Sequence, residues 1–525
     1  MDSNKILKFC LEKGVLLDKD LLAVLKETSD FDSAKNIIER LQGYTNKKII
    51  TKSVFVENKD KLDKLFSDLP EYSQKNLEKL KIRLGLSIEI SREIESSESI
   101  AIESVISKEN DSNKGVLVLD SFPALCKKLE VKDFVEYFKS RYISMREILQ
   151  GHSELDSLVS INKLSSSRQS CSIIGIVSDK RKTKNKNLIL EVEDLTGKIN
   201  VLINKDKEEL YKKAEEIPLD SVLGFKGMGG QGILFLNDII FPEARLELRR
   251  RSFIDEAVLF IGDLHVGSKL FMESNFLKFI DYLNGNVPGT KEEVEKIKYI
   301  LISGDLVAGV GIYPGQDNEL NIPDIEAQYT KAAELLGKIR KDIKIIISPG
   351  NHDAVRIMEP QPVLDEKFAW ALYELENVIF IGNPCLINIG VKSGFSGFNI
   401  LNYHGYSYHY YAGNISRLIL EKAAHKPELI MQYLLNYRHL APTHSSTLYF
   451  PSERDPFVIR EIPDLFVSAH THKSAVSYYN NILIISTSTW ESLTAFQEKM
   501  GNQPDFCKVP MFNLKTRAVK ILDFE

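Results

Sequence analysis

The chain has 525 residues, of which 43% are hydrophobic and 27% charged, a balance typical of a water-soluble protein of roughly two to four domains. Its formal net charge of -5 argues against a protein that binds nucleic acid through an overall basic surface, so any such contact must come from local patches. The five scattered cysteines predict reduced thiols and not a disulfide framework or zinc site. No apolar run reaches the ~18 residues of a membrane-spanning helix, and the chain does not begin with a signal peptide, which predicts a cytoplasmic protein with no membrane segment.

Residues 1–90 are predicted to form a small helical domain or, equally, a helical extension packed on the main body. The prediction rests on apolar residues that recur at helical spacing, namely Ile6, Phe9, Cys10, Leu21, Leu22, Leu25, Ile37, Ile38 and Leu41. Residues 91–130 are predicted to be a flexible linker, because 93–114 is charged, rich in serine and poor in aromatic residues.

Residues 131–250 are predicted to form an aromatic helix followed by an OB-fold, a module that binds nucleic acid or another subunit. The helix is expected from Phe134 to Leu149, where aromatic and aliphatic residues recur at threes and fours. Residues 165–245 then follow the order strand, strand, strand, helix, strand, strand, which is the order of the five-stranded OB barrel. Phe225 and Phe235 are expected in the barrel core rather than on a base-stacking surface.

A basic stretch lies between the first two predicted barrel strands, where OB-folds contact nucleic acid. Its candidate nucleic-acid-binding residues are Lys180, Arg181, Lys182, Lys184 and Lys186. A solvated, lysine-rich loop without a ligand is the alternative interpretation, and the sequence leaves both open.

In residues 251–525, five predicted buried strands are each followed directly by Asp, Asn or His. The strands 258–261, 299–302, 343–348, 398–403 and 464–468 deliver Asp263, His265, Asp305, Asn351, His352, Asp353, His404, His470 and His472. The carboxyl ends of parallel strands are where α/β folds place ligands, so these side chains are expected to meet. Mixed carboxylate and imidazole groups suit a divalent transition metal better than calcium or magnesium.

The order D-x-H, G-D, G-N-H-D, H-G and H-x-H resembles the calcineurin-like metallophosphoesterase superfamily, which includes the double-strand-break repair nuclease. The resemblance covers Ile254–Glu525 and implies an α/β fold, a four-layer β-sandwich flanked by helices. The OB barrel and the small helical N-terminal domain would precede this sandwich. Ala469 stands where the superfamily usually has glycine, which leaves the ligands intact but puts the loop geometry in question.

The same resemblance implies a site for two divalent metal ions, with manganese expected and magnesium, iron or zinc as alternatives. One ion would be held by Asp263, His265 and His472, and the other by Asn351, His404 and His470. Asp305 would bridge the two ions. His352 would act as general acid, and Asp353 is predicted to orient the His352 ring by accepting a hydrogen bond from it.

An OB-like domain followed by a calcineurin-like domain resembles the small-subunit family of archaeal family-D DNA polymerases, related to the B-subunits of eukaryotic replicative polymerases. The aromatic helix, the segment Leu440–His444 and the segment Glu461–Asp464 add to the resemblance, which then covers residues 130–525. It implies a metal-dependent 3′→5′ proofreading exonuclease acting on single-stranded or primer–template DNA. A large catalytic subunit, in a heterodimer or heterotetramer, would carry out polymerisation, and the sliding clamp is a further expected partner. A non-catalytic structural subunit and a stand-alone metallophosphoesterase are the alternatives.

Other residues have two interpretations each. His409 either lines the substrate groove or packs within its aromatic loop, and His444 is a weaker candidate for the site. Tyr313 and Pro314 are expected to rim the cleft. The remaining histidines, His152, His425 and His439, are interpreted as surface or structural residues.

Overall fold

The computed structural model describes residues 3–17, 35, 38–39, 49–50, 115–120, 122, 127–164, 168–230, 232–499 and 501–525. The chain divides into two compact units, Met1–Glu98 and Ser99–Glu525. In the first unit, helix α1 (Ser3–Glu12) buries Ile6, Phe9 and Cys10, as its periodicity predicts. The short parallel strands β1 (Leu16–Leu17) and β2 (Ile49–Ile50) add a β-element to a region predicted to be helical. The predicted apolar positions Leu21, Leu22, Leu25, Ile37 and Leu41 lie outside the described residues.

The second unit contains the remaining described elements. Its helices are α2 (Val131–Gln150), α3 (Glu208–Glu215), α4 (Glu273–Leu283), α5 (Lys291–Glu295), α6 (Ile325–Leu336), α7 (Glu366–Tyr373), α8 (Tyr408–Asn414), α9 (Ser416–Leu420), α10 (Pro427–Tyr437) and α11 (Ala495–Lys499). Its strands are β3 (Val116–Asp120), β4 (Gln169–Lys182), β5 (Leu188–Asp194), β6 (Gly197–Ile203), β7 (Val222–Gly230), β8 (Ile233–Ile240), β9 (Ala257–Ile261), β10 (Ile297–Ser303), β11 (Lys344–Ser348), β12 (Val378–Phe380), β13 (Cys385–Ile389), β14 (Phe398–Asn402), β15 (Leu465–Ser468), β16 (Ala475–Tyr479), β17 (Ile482–Ser486), β18 (Lys508–Asn513) and β19 (Val519–Asp523). Among the described helices, none combines the length and the apolar character needed to cross a bilayer.

Two six-stranded sheets form the C-terminal sandwich, in the orders β12-β11-β10-β9-β18-β19 and β16-β17-β15-β14-β13-β3. Strands β9 to β12 are parallel and almost entirely apolar, because both faces of a parallel sheet are covered. Side chains such as Phe260, Leu301 and Val467 fill the space between the sheets. Helices α4, α6 and α7 cover the outer face of the first sheet, whereas α10 and the barrel cover that of the second. The four-layer sandwich predicted from the sequence is confirmed.

Strand β3 departs from the predicted linker. It pairs antiparallel with β13 at the edge of the second sheet, and Val116 is buried between the two sheets. The linker predicted over 91–130 therefore does not extend through Val116–Asp120. The physical reason is that Val116–Leu119 is an apolar run that favours a strand. The linker prediction rests instead on the charged and serine-rich residues around this run.

Strands β4, β5, β6, β8 and β7 close into a barrel, with α3 between β6 and β7 as the OB order predicts. Phe225 is fully buried in the barrel, as predicted. The core prediction for Phe235 is wrong, because this side chain points outward from β8, is 38% exposed and lies 5.5 Å from the Arg168 guanidinium. Strand alternation decides the difference, since neighbouring Leu234 and Leu236 take the inward positions.

The barrel packs directly on the sandwich. Tyr433 of α10 donates a hydrogen bond to the Glu216 carbonyl at 2.7 Å, and Arg417 pairs with the Glu216 carboxylate at 3.1 Å. Arg141 of the aromatic helix α2 donates to Asp455 at 2.6 Å and to the Asp220 carbonyl at 3.2 Å. One arginine therefore ties the aromatic helix, the barrel and the sandwich together.

Candidate metal centre

The carboxyl ends of β9, β10, β11, β14 and β15 meet at one edge of the sandwich, beside a cleft of about 700 Å³. All seven predicted metal ligands lie there. His265, Asp305, Asn351, His470 and His472 line the cleft, and Asp263 and His404 are fully buried beside them. The sequence prediction that five strand ends deliver one site is in accord with this geometry.

Asp305 lies at the centre of the cluster. Its Oδ1 accepts a hydrogen bond from the His352 backbone amide at 2.8 Å, which fixes the carboxylate. Its Oδ2 faces two imidazoles, lying 3.4 Å from His404 Nε2 and 3.9 Å from His265 Nε2. Burial alone would raise the pKa of Asp305, but His404 and His352 outweigh burial and hold the pKa well below its usual value. An ionised oxygen between two imidazoles has the geometry of a bridging ligand.

On one side of Asp305, Asp263, His265 and His472 converge. The two imidazole Nε2 atoms lie only 3.2 Å apart, and His472 Nε2 is 3.9 Å from the Asp263 carboxylate. Burial lowers the pKa of both histidines to about 3, so their rings are neutral, as metal ligation requires. Facing ring nitrogens beside a buried carboxylate form a donor set that fits a divalent transition metal.

On the other side, His404 and His470 converge with Asp305, and Asn351 lies next to them. His404 Nδ1 donates to the Ser303 carbonyl at 2.8 Å, which leaves Nε2 directed at the Asn351 amide oxygen, 3.0 Å away. Burial disfavours the protonated ring, but Asp305 outweighs burial and raises the pKa of His404 to about 10. Nitrogen and oxygen donors thus point to one place, and this set also fits a divalent ion.

The backbone at the centre is strained. Asp263, His265, Asp305, His470 and His472 all adopt φ values between 49° and 68°, in the left-handed region. Residues other than glycine rarely adopt this conformation, and each instance costs roughly 1–3 kcal/mol unless the surroundings enforce it. Such strain at five ligand positions is typical of a functional site, where the fold holds side chains in a set arrangement.

Two close backbone approaches explain small residues around the centre. A side chain on Gly350 would lie 2.2 Å from Asp305 Oδ1, so only glycine allows the loop that carries Asn351 to reach the bridging carboxylate. Ala469, which replaces the usual glycine, is fully buried opposite Gly262. A Cβ at position 262 would lie 2.9 Å from the Ala469 methyl, so Gly262 provides the room that Ala469 occupies.

His352 and Asp353 have different surroundings from those predicted. His352 Nδ1 donates to the Ala308 carbonyl at 2.8 Å, so its Nε2 is free toward the cleft. Asp353 Oδ2 instead accepts from the Gly350 and Leu306 amides at 2.8 and 3.3 Å. The predicted Asp353–His352 hydrogen bond is therefore wrong, because the carboxylate is buried under the loops and holds them together. His352 also lies close enough to His265 and Asp305 to join a metal-binding group.

Aromatic residues form the rim of the cleft. Tyr406 and His409 pack on the His470 ring, with centroid distances of 5.6 and 5.1 Å. His409 lines the cleft, as one of its two interpretations had it, and so do Tyr313 and Pro314. His425, interpreted as a surface or structural residue, also lines the cleft.

His439 and His444 lie elsewhere. His444 is not among the described residues that line the cleft. Its ring packs on Tyr449, and its backbone amide donates a hydrogen bond to the Asp220 carboxylate. His439 is buried in a structural cluster, as one of its interpretations had it.

Sequence reasoning missed several residues that support the ligands. Gln497 of α11 lies 2.8 Å from His472 Nδ1, and Asn383 accepts a hydrogen bond from the His404 amide at 2.8 Å. Gln361 donates to the Gly350 carbonyl at 3.0 Å. Each stands in a loop or short helix that lies 11, 21 or 25 residues from the residue it contacts, so no local pattern could have identified it.

The comparisons with known proteins agree with this architecture. The calcineurin-like phosphoesterase family matches residues 257–474, and the family of OB-fold nucleic acid binding domains matches residues 171–228. The DNA polymerase II small subunit of Methanothermobacter thermautotrophicus is 38% identical over 400 residues, which cover 75% of this chain and 80% of that protein. This chain belongs to the DNA polymerase II small-subunit family.

Members of the family differ in length. The DNA polymerase II small subunit of Pyrococcus furiosus is 39% identical over 403 residues, which cover 75% of this chain but 64% of that protein. Among solved structures, an archaeal phosphodiesterase is similar at 12% identity with a TM-score of 0.25, covering 51% of this chain and 98% of that one. The family assignment rests on the sequence relatives.

Within this small-subunit family member, the basic stretch of the barrel is only partly exposed. Lys180 lies on β4, and its ammonium donates to the Glu215 and Ile217 carbonyls at 2.7 and 2.8 Å. Lys182 pairs with Glu215 at 2.6 Å, and Arg181 pairs with Asp179 at 2.9 Å. The prediction that Lys180 lies between the first two barrel strands is therefore wrong, because β4 continues through Lys182 and the Lys180 side chain lies against the end of α3.

Lys184 and Lys186 lie in the turn between β4 and β5. Their side chains are exposed and make no hydrogen bond or ion pair with any residue that the structure describes. Of the five candidate nucleic-acid-binding residues, these two are the ones whose charge is available to a ligand.

Proposed function

We propose that this small subunit is a 3′→5′ exonuclease that proofreads for a heteromeric replicative DNA polymerase. The observation that carries the proposal is the set of seven candidate ligands, with Asp305 at its centre and His352 beside them and open to the cleft. A subunit retained only for assembly has no need of buried rings held neutral, as those of His265 and His472 are, or of strained backbone at five predicted ligand positions. The names of its relatives support the polymerase context.

The predicted metal ligands and His352 would have different roles in the reaction. Two divalent ions, when bound, would activate a water molecule and stabilise the attacking and leaving oxygens of a phosphodiester. Asp305 would hold the two halves of the centre together through its Oδ2. His352 keeps its Nδ1 on the Ala308 carbonyl, so its Nε2 is the atom that would protonate the leaving 3′-oxygen. Manganese suits the mixed imidazole and carboxylate donors.

The cleft suits a single strand better than a small phosphate ester. A volume of about 700 Å³ exceeds what one phosphate group fills, and the aromatic side chains Tyr406, His409 and Tyr410 line one wall. Bases of any sequence stack on such rings. Lys184 and Lys186 are proposed as additional contacts to the phosphate backbone. A large polymerase subunit is the proposed partner for synthesis.

The deciding experiment measures manganese-dependent release of mononucleotides from a 3′-labelled single strand and from a mismatched primer. The wild-type chain is assayed alone and with its co-purified polymerase partner, and Asp305→Asn is the matched inactive control. We expect release by the wild type and none by the variant, because loss of the bridging charge weakens both metal sites. No release by the wild type in either setting would overturn the proposal in favour of a structural subunit. Activity confined to small phosphate esters would favour a stand-alone phosphoesterase.

A further inference from the structure

A relay of three buried amide groups lies behind one half of the metal centre. The His404 amide donates to Asn383 Oδ1 at 2.8 Å, and Asn383 Nδ2 donates to Gln361 Oε1 at 2.8 Å. Gln361 Nε2 then donates to the Gly350 carbonyl at 3.0 Å. The relay therefore joins the strand end that carries His404 to the peptide that precedes Asn351.

The relay is anchored and rigid. Gln361 and Asn383 are 2% and 0% exposed, and their backbones exchange two hydrogen bonds of 2.6 and 3.0 Å. Asn383 Nδ2 also donates to Glu359 at 3.1 Å, and Glu359 accepts from the Tyr403 and Thr447 hydroxyls at 3.1 and 2.7 Å. A buried polar group that loses its hydrogen-bond partner destabilises the folded protein, so the side-chain amides of Gln361 and Asn383 are held in one orientation.

The other half of the centre has a different support. His472 contacts Gln497 through Nδ1, and the Asp263 carboxylate accepts from the His470 amide at 2.9 Å. No hydrogen bond between described residues connects Gln361 or Asn383 to Asp263, His265 or His472. The relay of Gln361 and Asn383 thus supports one half only, and the two halves are joined by Asp305 and by the hydrogen bond from the His470 amide to Asp263.

We propose that Gln361 and Asn383 are positioning residues that set the separation of Asn351 and His404, and so selectively set the affinity of the metal site that these two ligands form. The inference rests on the two-metal part of the proposed function and extends it to residues outside the ligand set. Supporting residues of metal ligands typically contribute ~10–100-fold to metal affinity. The Gln361 relay should therefore affect one site and leave the other unchanged.

The test is a titration of the full chain with Mn²⁺. Calorimetry measures the number and affinity of the bound ions, and electron paramagnetic resonance measures the coupling between them. The wild type should bind two ions and show the signal of a spin-coupled pair. Gln361→Met keeps the side-chain volume but loses the donor to Gly350, so one site should weaken ~10–100-fold and an uncoupled Mn²⁺ signal should replace the coupled one. Should this variant fail to fold, Gln361→Glu, which retains the acceptor for Asn383, is measured with the same expectation.

A second experiment, in a variant that lacks one of the two metal sites, shows which site Gln361 affects. His404→Ala removes the site that Gln361 supports and leaves one ion bound. In this background Gln361→Met should have no further effect, whereas Gln497→Met should weaken the remaining ion, since contacting residues couple and distant ones do not. Unchanged two-ion binding by Gln361→Met, or equal weakening of both sites, would overturn the inference. Fewer than two ions on the wild type would instead overturn the two-metal part of the proposed function.

Discussion

In the second unit, one cluster of buried charged side chains surrounds Asp455 and another surrounds Asp305. The Asp455 carboxylate accepts from Tyr137, Arg141, His439 and the Phe457 amide, at distances of 2.6 to 2.9 Å. Each of its oxygens therefore has two donors, and although burial alone would raise its pKa, Arg141 and His439 hold the pKa of Asp455 below its usual value. This cluster is closed and satisfied by its own members.

The Asp305 cluster has the opposite character. Ring nitrogens of His265 and His472 face each other, and burial together with the nearby Asp305 carboxylate raises the pKa of Asp263 well above its usual value. The donors converge on an open cleft instead of on a partner. The difference teaches how to distinguish two buried ionic clusters of similar composition. A cluster whose hydrogen bonds close on themselves stabilises the fold, and one whose lone pairs converge on open space is built for a ligand.

The largest expected effect is on nucleotide release, which distinguishes the Asp305 cluster from the Asp455 cluster. His352→Ala removes the group whose Nε2 faces the cleft, so nucleotide release should fall ~10²–10⁴-fold while both metal ions stay bound. Release from the 3′-labelled strand and metal content are measured on the same sample. Loss of metal together with activity would show that His352 is a ligand, as its closeness to His265 and Asp305 allows.

The next effect is on stability. Arg141→Met leaves the buried Asp455 carboxylate without its cation, so the free energy of unfolding should fall by about 3–5 kcal/mol. Urea unfolding of the second unit, followed by tryptophan fluorescence, measures the change. Exposed Arg146 on the same helix is the matched control, and Arg146→Met should be nearly neutral. Metal binding by Arg141→Met should remain that of the wild type, since the Asp455 cluster takes no part in the site.

His439 gives the Asp455 cluster a pH dependence. Burial and Arg141 lower its pKa to about 4 and outweigh Asp455, which raises the pKa by accepting from Nε2. The other nitrogen, Nδ1, accepts from the Ala441 amide and has no room for a proton. The unfolded chain takes up this proton near pH 6.5 and the folded chain only near pH 4. The stabilisation is therefore complete above pH 6.5 and is lost as the pH falls toward 4, by up to about 3 kcal/mol.

Measuring this dependence requires a variant, because His265 and His472, whose pKa values are also lowered, titrate in the same direction. His439→Gln removes the titration, so its stability should fall less than that of the wild type between pH 6.5 and pH 4. Parallel pH profiles for the two proteins would contradict the role assigned to His439.

The smallest effect concerns the barrel turn. Lys184→Gln with Lys186→Gln should weaken single-strand binding and reduce the slope of log affinity against log salt by about 1.4, if each lysine contacts one phosphate. Lys180→Gln is the matched control, since its ammonium is occupied by the Glu215 and Ile217 carbonyls. It should lower barrel stability and leave the salt slope unchanged. An unaltered slope in the double variant would mean that the turn is only a solvated loop.

The sequence by itself was enough to predict the candidate ligand set and the order of the domains. Asp263 and His265 follow β9, and His470 and His472 follow β15, so a local pattern of apolar strand and polar turn is enough to find them. The same holds for the barrel, whose strand and helix order is read from short stretches. Such features depend on residues a few positions apart, which is the range over which backbone periodicity and turn chemistry act.

Only the tertiary structure decided which residues support that set and which surfaces are free. Asn383 reaches His404 across 21 residues, and Lys180 reaches Glu215 across 35. The change of role for Asp353 follows from the loops that bury its carboxylate, and the outward position of Phe235 follows from which face of β8 the closed barrel buries. Hydrogen bonds between segments far apart in the chain have no periodicity, so a pattern that names the metal ligands carries no information about the amides that hold them in place.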